Sequence, residues 1–183
     1  MSQSNNNEPD KVAQARALCD ANQWAELLKF AKAWQAESPT VAKSFFFQGI
    51  ALTQTGRFVE AETAYRRALE LDVADFKAWN NLAALLCENL QRPADALACL
   101  QKILEFDPQN KIAWSNLANL SARFGRHAES LACAERALAL DPQMVEAQLH
   151  RARAAEALGK KEILREASAA LAALPPERFR FAR

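Results

Sequence analysis

Apolar residues recur along this chain at the three- and four-residue spacing of amphipathic helices. One apolar stripe contains Phe45, Gly49 and Leu52, and a second follows Gly56, at Phe58, Ala61, Tyr65, Ala68, Leu69 and Leu71. The alternation of polar and apolar residues that is typical of strands is absent. The pattern therefore predicts pairs of amphipathic helices and an all-α fold.

The helix pairs repeat at a nearly constant interval. Trp79-x-x-Leu82-Ala83 returns 35 residues later as Trp114-x-x-Leu117-Ala118, and Asp107-Pro108 returns 34 residues later as Asp141-Pro142. A period of this length is the signature of a stacked-helix solenoid. The register predicts five repeats, at residues 8–41, 42–75, 76–110, 111–144 and 145–178.

The segments outside this register are expected to be tails. Residues 1–7 are predicted to be disordered. Residues 179–183 contain two phenylalanines, which suggests that they cover the last repeat or dock on a partner. A frayed, solvated end is the favoured alternative, because chain termini are often disordered.

Two positions of the repeat carry residues with a geometric role. The eighth position is always small, as Ala15, Gly49, Ala83, Ala118 or Ala152, which lets neighbouring helices approach closely. The fifteenth is Gly or Asn in four repeats, which predicts a left-handed residue that ends the first helix. The turn of the third repeat, from Glu88 to Pro93, has no Gly and one extra residue, which indicates a loop insertion.

The repeat resembles that of the tetratricopeptide repeat (TPR) family, at Trp79…Leu82-Ala83, Ala61…Tyr65…Ala68 and Asp107-Pro108. The resemblance implies a right-handed superhelical solenoid of about five helix-turn-helix repeats that binds a protein or peptide partner. The first repeat is degenerate. The last has Gln148 and Arg151 where the family prefers apolar residues, and such polar substitutions are expected in a terminal cap.

Composition narrows the classes of partner. Half of the residues are apolar and a quarter are charged, and the formal net charge is +1, so no global field attracts nucleic acid or an anionic membrane. No apolar run is long enough to span a membrane. The first seven residues lack the basic and apolar segments of a signal peptide. These observations predict a cytoplasmic protein with no nucleic-acid or membrane partner; its oligomeric state is left open.

The sequence offers little support for catalysis or metal binding. Cys19, Cys87, Cys99 and Cys133 form no C-x-x-C pair and have no His at ligand spacing, so four free structural thiols and no metal are predicted. No phosphate loop, H-E-x-x-H or nucleophile elbow is present. We expect a protein without a cofactor that is not an enzyme.

Candidate binding residues follow from the resemblance. In TPR proteins, positions two, five, six, nine, twelve and thirteen of the first helices line the concave groove. The candidate peptide-binding residues here are Lys43, Phe46, Phe47, Lys77, Asn80, Asn81, Asn116, Asn119, Arg123, His150 and Arg153. Asn81 and Asn116 are equivalent, and each amide can donate to and accept from a peptide backbone. The alternative is that both merely cap or solvate their helices.

The run Phe45-Phe46-Phe47 cannot share one buried stripe, because successive helix residues point about 100° apart. Phe45 aligns with Trp79 and Trp114 and is expected in the core. Phe46 or Phe47 then enters the groove or packs against the first repeat. Aromatic residues are preferred interface anchors, which slightly favours a ligand pocket.

The predicted function is a non-catalytic adaptor or scaffold that binds a peptide in the groove. Lys43, Lys77, Arg123 and Arg153 outnumber Glu88, Glu146 and Glu156, which favours a ligand with some acidic character. Two alternatives remain: a cytoplasmic TPR chaperone of secreted proteins, and an enzyme or enzyme subunit that uses a surface polar cluster, which nothing in the sequence supports.

One known TPR activity is rejected. Some family members bind acidic chaperone tails through a clamp of Lys, Asn and Arg side chains. This chain keeps Asn81 at one clamp position, but has Phe46, Ile50, Ile112 and Asn116 where the clamp needs Lys, Asn, Lys and Arg.

Overall fold

The computed structural model describes residues 8–175, which form ten α-helices and no strand. The first six are α1 (Glu8–Asp20), α2 (Trp24–Glu37), α3 (Ala42–Gln54), α4 (Phe58–Leu71), α5 (Phe76–Glu88) and α6 (Pro93–Phe106). The last four are α7 (Lys111–Arg123), α8 (His127–Leu140), α9 (Val145–Ala157) and α10 (Lys161–Ala173). The prediction of an all-α fold built from helix-turn-helix repeats is confirmed. Both predicted tails lie outside the described residues.

The odd-numbered helices begin at the residues where the sequence register places each repeat, and each even-numbered helix follows after a short turn. The chain divides into two compact units, residues 1–92 and 93–183. In the first unit, α3 packs against α2 and α4, and α4 also packs against α5. In the second unit, α8 packs against α7 and α9, α9 packs against α10, and α7 lies against both α6 and α9.

Left-handed residues end most of the first helices, as the sequence predicts. The backbone dihedral φ is positive at Asn22, Gly56, Gly125 and Gly159. In the longer turn of the third repeat, Gln91 takes this conformation with a φ of 53°. Two hydrogen bonds from Arg92 Nη1 to the Glu62 carboxylate, at 2.8 and 3.0 Å, then tie this turn to α4.

The eighth position of α3 is glycine because the ring of Tyr65 crosses it. A Cβ atom built on Gly49 would lie 2.5 Å from Tyr65 Cε1 and 2.6 Å from Cδ1, closer than nonbonded carbon atoms can approach. In the fourth repeat, Ala118 clusters with Ala134, which stands where Tyr65 stands in α4. A larger side chain on the second helix of a repeat is therefore matched by a smaller residue at position eight of the first helix.

We expect Gly49→Ala to lower the free energy of unfolding by up to about 2 kcal/mol. Overpacking costs about 1–3 kcal/mol, and the higher helix propensity of Ala offsets about 1 kcal/mol of it. Urea denaturation followed by circular dichroism measures the change. In a Tyr65→Leu background, the same Gly49→Ala substitution should become neutral or stabilising. Equal losses in both backgrounds would contradict the explanation.

Gln148 preserves a hydrogen bond that tryptophan makes in other repeats. The indole N–H groups of Trp79 and Trp114 donate to the carbonyl oxygen six residues earlier, at 2.8 and 2.9 Å. Gln148 stands at the same position of α9, and its Nε2 donates to Pro142 O at 3.2 Å. Its buried Oε1 has no hydrogen-bond partner among the described residues. Gln148 is therefore an imperfect replacement for tryptophan rather than a solvated cap residue.

We expect Gln148→Trp to raise the free energy of unfolding by about 1 kcal/mol. The indole N–H can donate to Pro142 O. An unpaired buried acceptor such as Gln148 Oε1 costs about 1–3 kcal/mol, and tryptophan has no such acceptor. Gln148→Leu serves as the control, since it removes the unpaired oxygen without restoring the hydrogen bond. A Trp variant no more stable than the Leu variant would show that the hydrogen bond contributes nothing.

Candidate peptide-binding surface

In the first unit, the predicted groove residues divide into buried and open positions. Phe46, Phe47 and Asn80 are buried, with exposed fractions of 7%, 4% and 8%. Asn80 Nδ2 donates to the Phe76 carbonyl oxygen of its own helix at 2.8 Å. Lys77 is exposed and Asn81 is half-buried. Position five of the first helix, which holds Phe46 and Asn80, is therefore inside the structure and not on an open surface.

The three consecutive phenylalanines do not lie where the sequence analysis placed them. Phe46 contacts the ring of Phe47, with centroids 5.3 Å apart, and that of Tyr65, at 6.3 Å. This burial favours packing over a ligand pocket as the role of Phe46 and Phe47. Phe45 is only half-buried, like its counterparts Trp79 and Trp114. Its predicted place in the core needs correction, because position four lies at the edge of the core.

The exposed part of Phe45 faces an open cavity of about 500 Å³ between α3 and α4. The guanidinium of Arg67 lies over this ring, 5.9 Å from its centroid. Leu52 and Ala64 also line the cavity, with the charged side chains of Glu60 and Glu70. This cavity lies beside position four of α3 and away from the predicted groove positions.

Lys43 and Asp75 connect α3 to the start of α5, the first helix of the next repeat. Lys43 Nζ lies 2.7 Å from Asp75 Oδ2, and the side chain of Asp75 is only 3% exposed. The other carboxylate oxygen caps α5 by accepting hydrogen bonds from the backbone N–H groups of Lys77 and Ala78, at 3.1 and 3.3 Å. The charge of Lys43 is therefore paired within the structure. Of the two lysines predicted to bind a peptide in this unit, Lys77 is the exposed one.

The Tyr65 hydroxyl belongs to a chain of hydrogen-bonded groups beside Asn81. It lies 3.4 Å from Thr53 Oγ1. Thr53 Oγ1 donates in turn to the Gly49 carbonyl oxygen at 2.9 Å. Burial raises the pKa of Tyr65 to about 12, against the opposing effect of the Thr53 and Asn81 side chains beside its hydroxyl. Tyr65 is therefore a neutral hydroxyl at physiological pH.

In the second unit, α7 and α9 present the remaining predicted residues. Asn116, Asn119 and His150 are half-buried, whereas Arg123 and Arg153 are exposed. Burial, assisted by the positive charge of Arg153, lowers the pKa of His150 to about 4. His150 is consequently neutral at pH 7. Among the predicted binding residues of α7 and α9, the positive charges are those of Arg123 and Arg153.

Sequence reasoning missed two residues of this region. It assigned Tyr65 to an apolar stripe and did not single out Asp75. The signal for Tyr65 was Gly49, which replaces the alanine of other repeats and leaves room for a crossing ring. The signal for Asp75 was its place just before α5, where an aspartate caps a helix.

None of the four cysteines is paired in a disulfide, and Cys87, Cys99 and Cys133 are buried. Burial raises the pKa of Cys133 to about 11, which makes its thiol a weak nucleophile. Among residues 8–175, no group of three or more His, Cys, Asp and Glu side chains could hold a metal ion. None of the helices in that range combines the length and apolar character required to cross a membrane.

The helical hairpins, their small eighth-position residues and their left-handed turns define a helical-repeat protein. Family models described as "Tetratricopeptide repeat" match residues 46–111 and 112–144, which together make up more than half of the chain. The chain belongs to the tetratricopeptide repeat family.

One curated relative is the tetratricopeptide repeat-containing protein trd-1 of Caenorhabditis elegans, with 30% identity over 87 residues. The match covers 48% of this chain and 11% of that protein, so the chain spans about a tenth of the relative's length. Because the match covers so little of the relative, it does not bear on the activity of the whole relative.

Several solved structures share the fold. PilW, described as a widely conserved type IV pilus biogenesis factor, is 22% identical, with a TM-score of 0.82 over 92% of this chain and 77% of PilW. A MamA fragment from Desulfovibrio magneticus RS-1 is 20% identical, with a TM-score of 0.68 over 89% of this chain and 92% of the fragment. YrrB, described as a TPR protein with an unusual peptide-binding site, is 18% identical, with a TM-score of 0.66 over 92% of this chain and 87% of YrrB. At these identities, the likeness shows the fold alone.

Proposed function

We propose that this chain is a non-catalytic adaptor or scaffold that binds a segment of a protein partner on the open positions of its first helices. Membership of the TPR family supports a protein-binding role. The observation that carries the proposal is Asn81, a half-buried amide at position six of α5 beside the Tyr65 hydroxyl. The part of this amide that solvent reaches can both donate to and accept from a peptide main chain.

The binding residues are a revised form of the predicted set. Lys77 and Asn81 form the first-unit surface. Asn116, Asn119, Arg123 and Arg153 form the second-unit surface, to which we add Ile112, because its side chain is 47% exposed at position two of α7. Phe46, Phe47 and Asn80 are buried and stabilise the fold instead. Ile112 is then the residue that makes an apolar contact with the partner.

The charges of these surfaces favour a partner segment with acidic residues. Lys77, Arg123 and Arg153 are exposed, and Lys43 is engaged with Asp75. Exposed cations of this kind attract carboxylates and raise association rates more than they raise affinity. Binding should therefore weaken as the salt concentration increases. The cytoplasmic location inferred from the sequence belongs to this proposal, and cell fractionation tests it.

The experiment that tests the function starts from the partner. A partner captured by the full chain is identified by mass spectrometry, and isothermal titration calorimetry then measures its binding to Asn81→Ala and Asn116→Ala variants. Each variant should lose about 0.5–1.5 kcal/mol of binding free energy, the net contribution of one hydrogen bond. The matched control is Asn89→Ala, which changes an exposed asparagine in the turn after α5. Unchanged affinity in an Asn81→Ala/Asn116→Ala double variant would exclude these surfaces as the site.

A further inference from the structure

We propose that the second unit binds an acidic protein segment with an aromatic or large aliphatic side chain on the edge formed by the turns after α7 and α9. This turn edge comprises Phe124, Arg126, Leu158, Lys160 and Lys161. None of these residues belongs to the binding surfaces of the proposed function, so the turn edge is a second, separate site.

The turn edge exposes two large apolar side chains. Phe124 and Leu158 are the C-cap residues of α7 and α9, and they are 45% and 37% exposed. The corresponding C-cap residues of α3 and α5 in the first unit are Thr55 and Asn89, which are polar. A polar residue therefore satisfies the geometry of this position, and the fold does not require phenylalanine or leucine there.

The two apolar side chains belong to one patch. Each short turn reverses the chain, so α7 and α9 run in the same direction and both end at this edge of the unit. The two helices pack against each other, and the axes of packed helices are about 8–10 Å apart. Single scattered apolar residues are normal on a protein surface, but Phe124 and Leu158 are close enough for one partner segment to contact both.

Cations flank these apolar side chains. The guanidinium of Arg126 lies 5.3 Å from the centroid of the Phe124 ring. Its ion pair with the Glu129 carboxylate is long, at 3.7 Å. Lys160 and Lys161 are exposed, and neither forms an ion pair with another residue of the described range 8–175. These three cations can therefore pair with carboxylates of a partner.

The corresponding cations of the first unit are already paired. Arg57 Nε donates to the Glu60 carboxylate at 2.7 Å, and its Nη2 donates to the second oxygen of the same group. Arg92 donates twice to the Glu62 carboxylate. Of the turns compared, only those of the second unit combine exposed apolar residues with weakly paired or unpaired cations.

The distribution of charge favours a narrow acidic segment as the occupant. The turns themselves contain no acidic residue, whereas the helix positions beside them carry Glu129, Glu156 and Glu162. Positive charge is thus confined to the turns, and these glutamates would repel a broad anionic surface such as a membrane or a nucleic acid. Carboxylates of a partner can pair with the cations, and an aromatic side chain can pack on Phe124 as an interface anchor.

The test uses two variants of the full chain. Phe124→Thr/Leu158→Thr removes the apolar side chains and places at both positions the residue that the first unit has at Thr55. Lys160→Gln/Lys161→Gln removes two cations at exposed positions. Both variants should keep the circular dichroism spectrum and melting temperature of the natural protein, because the first-unit turn already accepts threonine and the lysines make no ion pair to lose.

The probe is a peptide selected for the turn edge. A library of random dodecapeptides is depleted on Phe124→Thr/Leu158→Thr and then selected on the natural protein. The enriched peptides should combine Asp or Glu with an aromatic residue or leucine. No enrichment, or enriched peptides without acidic residues, would overturn the proposal.

Fluorescence anisotropy then measures the affinity of the best synthetic peptide. Lys160→Gln/Lys161→Gln should weaken its binding on the order of threefold to tenfold, as expected for two exposed ion pairs, and binding should weaken with added salt. The matched control is Arg57→Gln on the first-unit turn, which should bind as the natural protein does. Equal affinities of the natural protein and the lysine variant would show that the cations do not recognise the peptide.

Two further measurements separate this site from the alternatives. Asn81→Ala/Asn116→Ala should bind the selected peptide with unchanged affinity, whatever the outcome for the proposed function; a loss would place the peptide on the first helices and overturn a separate site. Co-sedimentation with vesicles of equal parts phosphatidylcholine and phosphatidylserine should show no binding. Vesicle binding that Phe124→Thr/Leu158→Thr abolishes would assign the turn edge to a membrane instead.

Discussion

Asp75→Ala is expected to lower the free energy of unfolding by about 2–4 kcal/mol. The aspartate caps α5 through the backbone N–H groups of Lys77 and Ala78, and loss of such a cap costs about 0.5–2 kcal/mol. It also accepts a charged hydrogen bond from Lys43 at 2.7 Å, and such bonds contribute about 1.5–3 kcal/mol. Urea denaturation followed by circular dichroism gives the difference.

Asp75→Asn is the matched control for this substitution. Asparagine keeps an oxygen that can cap the helix but removes the charge that pairs with Lys43, so it should lose about half as much stability as alanine. If Asp75→Ala costs less than about 1 kcal/mol, or if both variants are equally unstable, the carboxylate does not connect α3 to the start of α5 as described.

The fold was predictable because the signals that specify it are local and repeated. Trp79 and Trp114 marked the register, and the left-handed residues at Gly56 and Gly125 marked the turns. Each repeat reports the same geometry independently. A register taken from the strongest repeats therefore locates α1 as well, in the repeat whose sequence matches least well.

The candidate surface was less predictable because exposure depends on neighbours far along the chain. Helical periodicity places Phe46 and Phe47 on the side away from the packed stripe, yet both are buried, and Phe46 lies against Tyr65 of α4. Periodicity describes one helix, whereas burial in a repeat protein depends on the residues that adjacent helices contribute. Asn80 illustrates the same limit, since its amide serves its own helix.

Polar substitutions were also hard to interpret from sequence. Gln148 looks like a cap residue of the terminal repeat, but its amide takes over the hydrogen bond of a tryptophan. The sequence shows a loss of apolar character and does not show which carbonyl oxygen the side chain reaches. Only the geometry of the loop before α9 distinguishes a solvated residue from a hydrogen-bonded replacement.

His150 should make the stability of the protein depend on pH between about 4 and 6.5. A histidine in an unfolded chain titrates near ~6.5, whereas burial, assisted by Arg153, lowers the pKa of His150 in the folded protein to about 4. The unfolded state therefore takes up a proton first as the pH falls. The stabilisation is fully present above pH ~6.5 and is lost as the pH falls to about 4, a loss of about 3–4 kcal/mol at about 1.4 kcal/mol per pKa unit.

The measurement is the free energy of unfolding at a series of pH values for the natural protein and for His150→Gln, which cannot take up this proton. Effects of the carboxylates are common to both proteins, so their difference in stability isolates His150. That difference should shrink steadily as the pH falls from 6.5 to 4, because only the natural protein is destabilised by the protonation of His150. His127→Gln, at the other histidine of the chain, is the control and should leave the pH dependence in place. A constant difference between the natural protein and His150→Gln across this range would mean that His150 is protonated as readily in the folded protein as in the unfolded chain.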